Sequence, residues 1–393
     1  MLALTLQGIG SFNREINGLK KIPRRLLRPG LGQATSLLDR ATSRVRADVP
    51  VLETLLSRLD PKLSLHRILA RVVEVREETH DVKTFVLSPN ARFGTFRPGA
   101  YVMVGVTVAG RVVQRAYSLS SAPGDDGRIS ITVKRVPGGV VSNHLADEIR
   151  AGDVLEIGAP AGQFLLGSEA PRLLMISAGS GVTPVMSMLR DLVRRGSPSK
   201  ITFLHFARTP ADVIFGRELA AIAERMANVE VVLCVEEADS SWTGLRGRFS
   251  PELLAAAAPD FAGAETYLCG PPGFMRVVMQ TLEQSGADLS KLRYERFSSE
   301  FDASTFLTEA RVLRFTRSGV ESLSNRALTV LQEAEARGVR VDTGCRAGTC
   351  GTCRCKKRKG VVLNTATGAL SGEGEEMIYP CVSVAQGALE VDL

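Results

Sequence analysis

Four cysteines carry the strongest chemical signal in the chain: Cys345, Cys350 and Cys353 at the spacing C-x4-C-x2-C, then Cys381. Three thiolates offered by one loop, with a fourth delivered from further along, suit a [2Fe–2S] cluster, for which this spacing is characteristic. The small residues around them (Gly344, Ala347, Gly348, Thr349, Gly351, Thr352) let the backbone come close and its N–H groups reach the sulfurs. A structural zinc site is the competing use of such cysteines, but its ligands more often come as paired C-x2-C knuckles. Cys355 falls outside the pattern and reads as a strand residue; Cys234 reads as core. Five of the seven cysteines lie in the last 49 residues, the crowding of a metal centre rather than of disulfides.

Further upstream, Arg115-Ala116-Tyr117-Ser118 closes a strand, and Gly138-Gly139-Val140-Val141-Ser142 opens a helical stretch. Free N–H groups and the positive end of a helix dipole suit a pyrophosphate there. Next, Ala178-Gly179-Ser180-Gly181-Val182-Thr183-Pro184 joins a buried strand to a helix, with glycine where the chain turns sharply and a dinucleotide must approach. Tyr267-Leu268-Cys269-Gly270-Pro271-Pro272 ends another strand of the same sheet. After the second strand of that sheet stands Arg208, where an acidic residue would bind the ribose 2′-hydroxyl of NAD and an arginine accommodates the 2′-phosphate of NADPH. Arg217 and Arg246 are placed to support the same phosphate. Plainer uses exist for each: a rim ion pair for Arg115, a structural thiol for Cys269, an unengaged surface cation for Arg208.

The elements that must position these groups follow from periodicity. From Leu65, alternation predicts strands at 68–74, 81–87, 101–108, 111–118 and 128–135, short and evenly spaced as in a small barrel. From Arg172, buried strands at 173–178, 201–206, 229–235 and 266–269 alternate with helices at 184–194, 218–226 and 273–284, the pattern of a parallel sheet covered on both faces. Residues 298–306 read as a linker. A tail over 307–393 holds strands, one helix (326–336) and the cysteine cluster. Lys356-Lys357-Arg358-Lys359 reads either as a solvated turn or as a docking patch for an acidic partner.

Composition narrows the class. A chain of 393 residues, 44% hydrophobic and 23% charged, is a multidomain globular protein, without an apolar run long enough to span a membrane and without a secretory leader. It is expected in the cytoplasm. The formal charge of +7 sits almost wholly in residues 1–64, which carry eleven basic and five acidic side chains, with leucines at helical spacing broken by prolines. That predicts a basic amphipathic helical extension able to touch the inner face of a membrane weakly. With 5% aromatics and one tryptophan, nucleic-acid binding is excluded.

The ordered set Arg115–Ser118, Gly138–Ser142, Gly179-x-Gly181-x-Thr183-Pro184 and Cys269-Gly270-Pro271, closing on the cysteine motif, resembles the ferredoxin–NADP reductase superfamily. Within it, the order is similar to single-chain reductases with a carboxyl-terminal plant-type ferredoxin that serve oxygenases and desaturases. The resemblance implies an antiparallel β-barrel flavin domain over 65–166, a parallel-sheet NAD(P)-binding α/β domain over 167–297, and a β-grasp ferredoxin domain. It further implies FAD, favoured over FMN by the diphosphate-suited turn, held by Arg115, Tyr117, Ser118, Gly139, Val141 and Ser142. NADPH or NADH would lie on Gly179, Gly181, Thr183, Arg208, Arg217, Gly270 and Pro271, with Cys269 against the nicotinamide. Ser118 and Glu295 would stand near the reacting end of the flavin, and Phe297 could cover it. Electrons would pass from NAD(P)H through FAD and the cluster to an oxygenase or fatty-acyl desaturase. Relatives that partner desaturases look similar in carrying a basic extension. The alternatives are a soluble ring-hydroxylating oxygenase or another redox protein as acceptor, or a non-catalytic metal-binding module.

Overall fold

In the computed structural model the described residues are 60–393, apart from 109, 125, 168–169, 298–309 and 325–326. The expected linker and nearly all of the expected amphipathic extension lie outside them. The chain divides into two units, residues 1–67 and 68–393, and every element below belongs to the second.

Six strands, β1 (Ile68–Thr79), β2 (Val82–Pro89), β3 (Tyr101–Val108), β4 (Arg111–Ser118), β5 (Ile129–Lys134) and β6 (Val154–Ile157), pair antiparallel in the order β4-β3-β6-β1-β2-β5. Alternation along the strands sends Phe85, Leu87, Ile129, Ile131 and Val133 into one core. Leu119, just past β4, bridges to Ile131, so the two edge strands meet and the sheet closes into a barrel. Helix α1 (Val140–Glu148) adds Val141 and Leu145 to the same core.

The opposite face of β2 and β5 is polar yet buried, because the next domain packs there. Val82 belongs to that domain's core, and Thr84, Ser130 and Thr132 lie along the same face. Burial without water obliges these hydroxyls to satisfy one another. Thr84 Oγ1 lies 2.8 Å from Thr132 Oγ1, and Ser120 Oγ lies 2.9 Å from both Thr132 Oγ1 and Ser130 Oγ.

The second sheet is wholly parallel. Its elements are β7 (Arg172–Ala178), α2 (Val182–Arg195), β8 (Lys200–Ala207), α3 (Gly216–Arg225), β9 (Val229–Val235), β10 (Leu245–Arg246), α4 (Pro251–Ala257), β11 (Glu265–Cys269), α5 (Pro272–Gln284) and β12 (Leu292–Glu295). The strand order is β10-β9-β8-β7-β11-β12, so the chain reverses direction across the sheet between β7 and β11. Such a switch point opens a crevice at the carboxyl ends of the strands. Helix α2 ties this domain to the barrel. Ser187 Oγ donates to the Ser121 carbonyl at 2.6 Å; Arg190 donates to the Ser120 carbonyl at 2.5 Å while its other nitrogens grip Glu218.

The tail contains β13 (Arg311–Phe315), β14 (Val320–Ser324), α6 (Val330–Ala336), β15 (Cys355–Lys359), β16 (Val362–Asn364), β17 (Glu376–Ile378), β18 (Ser383–Ala385) and β19 (Leu389–Val391). Five strands form the sheet β14-β13-β19-β15-β17; β16 and β18 pair separately. Phe315, Leu389 and Val330 of α6 share its core. The helix starts four residues later than expected, where Thr329 and Gln332 close a capping box.

The basic run 356–359 is neither a solvated turn nor a free patch: it is most of β15. Strand alternation turns Lys357 inward, fully buried, where its Nζ donates to the carbonyls of Gly360, Gly372 and Gly374 at 2.6–2.7 Å and meets Glu376. Lys356 pairs with Glu375, and Arg358 with Asp392 and Glu375.

Candidate active site

The cysteine loop is shaped by backbone conformations that few side chains tolerate. Arg346, Gly348 and Gly351 take φ of 58°, 77° and 75°. The outcome is a ring of donors aimed at sulfur. Cys345 Sγ accepts from the N–H groups of Ala347, Thr349 and Cys350 at 3.2–3.4 Å and from the Thr349 hydroxyl at 3.2 Å. Cys350 Sγ accepts from the Cys345 N–H and the Thr352 hydroxyl, both at 3.2 Å. Burial alone would raise the Cys345 thiol, but these donors outweigh it and hold it below its ordinary value. Cys353 and Cys381 sulfurs stand 3.4 Å apart, too close for two thiolates without a cation to share. An all-sulfur donor set with N–H groups trained on it fits an iron–sulfur cluster. Cys355 is different: it is buried in the domain core, where burial pushes its thiol up to about 12.

A cavity of about 360 Å³ lies between the barrel, the end of β12 and the cysteine loop. Arg115, Tyr117 and Ser118 line it from β4, Gly139, Val141 and Ser142 from the start of α1. No side chain caps that helix start, so its N–H groups are open to an anion. Arg115 is half-buried; its Nη1 donates to the Gln114 carbonyl at 2.7 Å. Burial raises the Tyr117 hydroxyl, which stays protonated. A cation, an uncapped helix and an aromatic ring around one cavity fit a flavin bearing phosphates. At the other end Ser118 Oγ donates to Glu295 Oε2 at 3.4 Å, and burial pushes the Glu295 carboxyl up to about 8. Arg296 and Phe297 complete that wall, and Arg296 Nη1 reaches the Ala366 carbonyl of the ferredoxin domain at 2.7 Å.

The switch point between β7 and β11 is closed to side chains. A Cβ on Gly181 would stand 2.3 Å from the Cys269 carbonyl oxygen, and one on Gly270 would stand 3.2 Å from Ala178 Cβ. Beside it lies a second cavity of about 980 Å³, lined by Gly179, Arg208 and Pro271 as the sequence suggested. It is also lined by groups the sequence analysis did not select: Lys134 and Arg135 from the barrel, Arg248, and the mutually packed rings of Phe206, Phe249 and Phe274. Arg208 is exposed and pairs with Asp212 at 3.3 Å; Arg248 pairs with Glu236 at 3.0 Å. Three expectations change. Arg217 is exposed at the start of α3 and is not in the lining. Arg246 is spent on the carbonyls of Ala238, Asp239 and Trp242. The Cys269 thiol points into the core, fully buried, and lines neither cavity.

The cavities are neighbours. Lys134 lines both, and the loop that gives Gly179 to the second gives Ser180 and Thr183 to the first. Cys345, Ala347 and Thr349 of the cysteine loop line the first cavity from its other side. The first cavity therefore lies between the second cavity and the cysteine loop, sharing lining residues with each.

This chain belongs to the ferredoxin–NADP reductase superfamily, as a single-chain flavoprotein reductase with a carboxyl-terminal [2Fe–2S] domain. Profiles for an oxidoreductase FAD-binding domain, an oxidoreductase NAD-binding domain and a 2Fe-2S iron-sulfur cluster binding domain match residues 69–165, 175–280 and 315–386. An NADPH oxidoreductase of Mycobacterium tuberculosis is 34% identical over 88% of this chain and 90% of its own. The glycine betaine monooxygenase reductase subunit of Pseudomonas aeruginosa is 33% identical over 83% of this chain and 95% of its own. The fold matches phthalate dioxygenase reductase with a TM-score of 0.57, over 84% of this chain and 98% of that one, at 24% identity. The protein is an NAD(P)H-dependent oxidoreductase that uses FAD and a [2Fe–2S] cluster. Among the described residues no helix is long and apolar enough to cross a membrane.

Proposed function

We propose that the chain is the reductase component of an oxygenase, drawing electrons from NADPH in preference to NADH. The observation that carries this is the shared walls: the Gly179–Thr183 loop separates the nucleotide cavity from the flavin cavity, and the Cys345–Thr349 stretch closes the flavin cavity on its far side. FAD held there would supply the conversion from two-electron hydride chemistry to one-electron transfer. The residues do the placing. Arg115 and the open N-terminus of α1 bind phosphate; Tyr117 packs beside the ring system; Gly181 and Gly270 let two loops touch so that the nucleotide approaches closely. Burial keeps the Glu295 carboxyl protonated inside the cavity, within reach of the Ser118 hydroxyl. Cys345, Cys350, Cys353 and Cys381 would hold the cluster. Arg208 and Arg248 stand at the nucleotide cavity as cations for a 2′-phosphate.

An oxygenase as acceptor is supported by relatives named as monooxygenase reductases. The desaturase and the membrane contact expected of residues 1–64 rest on sequence alone, since that segment lies almost wholly outside the described residues. Cys350→Ser is the direct test. It should cut NADPH-driven reduction of cytochrome c by about 100-fold while NADPH still bleaches the flavin at near wild-type rate, because the two events occupy different domains. Equal loss of both would show that the cluster is structural and sink the reading.

A further inference from the structure

The cysteine loop faces two different spaces. Cys345 lines the flavin cavity, whereas Cys353 lines a separate groove of about 610 Å³ on the ferredoxin domain. The loop therefore borders the flavin cavity with one ligand and this groove with another, Cys353, which is itself buried beside Cys381.

That outer groove is basic. Arg317, Arg340 and Arg354 are exposed around it; among the described residues Arg340 and Arg354 have no carboxylate partner, while Arg317 acts on the Asp392 carboxylate. Its other charges are largely spent. Lys356 pairs with Glu375, and Asp392 is held by Arg358 at 2.5 and 2.9 Å and by the Thr316 hydroxyl at 2.7 Å. Asp342 is the exposed acidic side chain of the lining. Met377, 46% exposed, supplies an apolar contact at the edge. Two guanidinium groups without a carboxylate partner, Arg340 and Arg354, beside a small apolar centre are what a charge-steered, transient interface presents. The run 356–359 cannot do this, because its charges are neutralised within the domain.

We propose that the groove bounded by Arg317, Arg340, Arg354 and Met377, with Cys353 in its wall, is the docking surface for the electron acceptor, and that it fits a redox protein with an acidic rim around its own centre. This rests on the reductase reading and names the surface that reading requires. No bond is made or broken; one electron leaves at a time, and the acceptor takes it.

The holoenzyme is tested with two probe proteins, the acidic haem domain of cytochrome b5 and the basic cytochrome c. Binding of oxidised cytochrome b5 to the oxidised reductase is measured by calorimetry at low and high salt, and reduction of both probes by NADPH is followed separately. The wild type should bind cytochrome b5 at low salt and lose it at high salt. Arg340→Glu combined with Arg354→Glu should weaken that binding about tenfold or more and speed cytochrome c reduction. Both positions are exposed, and an unchanged cluster spectrum verifies the fold. Unchanged cytochrome b5 affinity in the double variant, or salt-independent binding by the wild type, overturns the proposal. Failure of NADPH to bleach the flavin in the wild type is a different failure: it would strike the reductase reading and leave the binding result standing.

Discussion

The cysteine loop takes most of its donors from its own backbone, whereas the nucleotide crevice takes its cations from side chains on three separate stretches. Four N–H groups within Cys345–Cys350 point at sulfur. In the crevice, Lys134 and Arg135 come from the barrel, Arg208 follows β8, and Arg248 follows β10. The difference has consequences. A backbone cage is indifferent to many side chains but intolerant of an added Cβ; a side-chain cage can be retuned one cation at a time.

The largest expected effect compares two glycines. A Cβ on Gly344 would stand 2.8 Å from Cys350 Sγ and 2.9 Å from Met103 Cε and Thr352 Oγ1. Gly344→Ala should therefore weaken cluster retention about 10–100-fold, read as iron per flavin. Gly181→Ala drives its Cβ against the Cys269 backbone instead. It should cost about 1–3 kcal/mol in thermal stability and raise the KM for nucleotide, with iron content unchanged. Loss of iron in Gly181→Ala, or full iron in Gly344→Ala, would break the contrast.

A second comparison stays within the crevice. Arg208→Ala and Arg248→Ala should each lower the NADPH/NADH ratio of kcat/KM by up to about 1–3 kcal/mol equivalent, as expected for a charge-assisted phosphate contact. Arg217→Ala, outside the lining, should leave the ratio where it is. Equal behaviour of all three would mean that the phosphate is read elsewhere.

The smallest effect concerns Glu295. Burial raises its carboxyl from an ordinary value of 4.5 to about 8, so the folded chain keeps a proton that the unfolded chain releases. Its contribution to stability is full below about pH 4.5 and fades as pH rises through about 8. Thermal scans of the apoprotein between about pH 5 and 9 should show Glu295→Gln falling less steeply than wild type. A steeper fall in the variant would reverse the sign and remove Glu295 as a proton store.

Much of this arrangement is legible in the chain, for an identifiable reason. The metal ligands and the flavin and glycine motifs are local, so spacing alone exposes them, and alternation places most strands to within a few residues. What stayed hidden depends on tertiary neighbours. Arg248 and Arg135 meet across a cavity although 113 positions separate them in the sequence numbering. Arg217 and Arg208 look equivalent on paper, yet the start of α3 turns one away from the cavity. The short α4 and two-residue β10 carry too few residues for a period to show. Cys269 sits in a matching motif, but β11 is buried on both faces and its thiol goes inward.

Lys357 has one more use. An amine clasped by three carbonyl oxygens and shut from solvent is closed to acylating reagents and to trypsin, whereas Lys359, two positions on, is exposed. Covalent labelling at these two lysines, resolved by peptide mass, would give the ferredoxin domain its own opening clock. Lys359 would mark reagent dose and Lys357 each excursion of β15 from the sheet, free of any signal from flavin or iron.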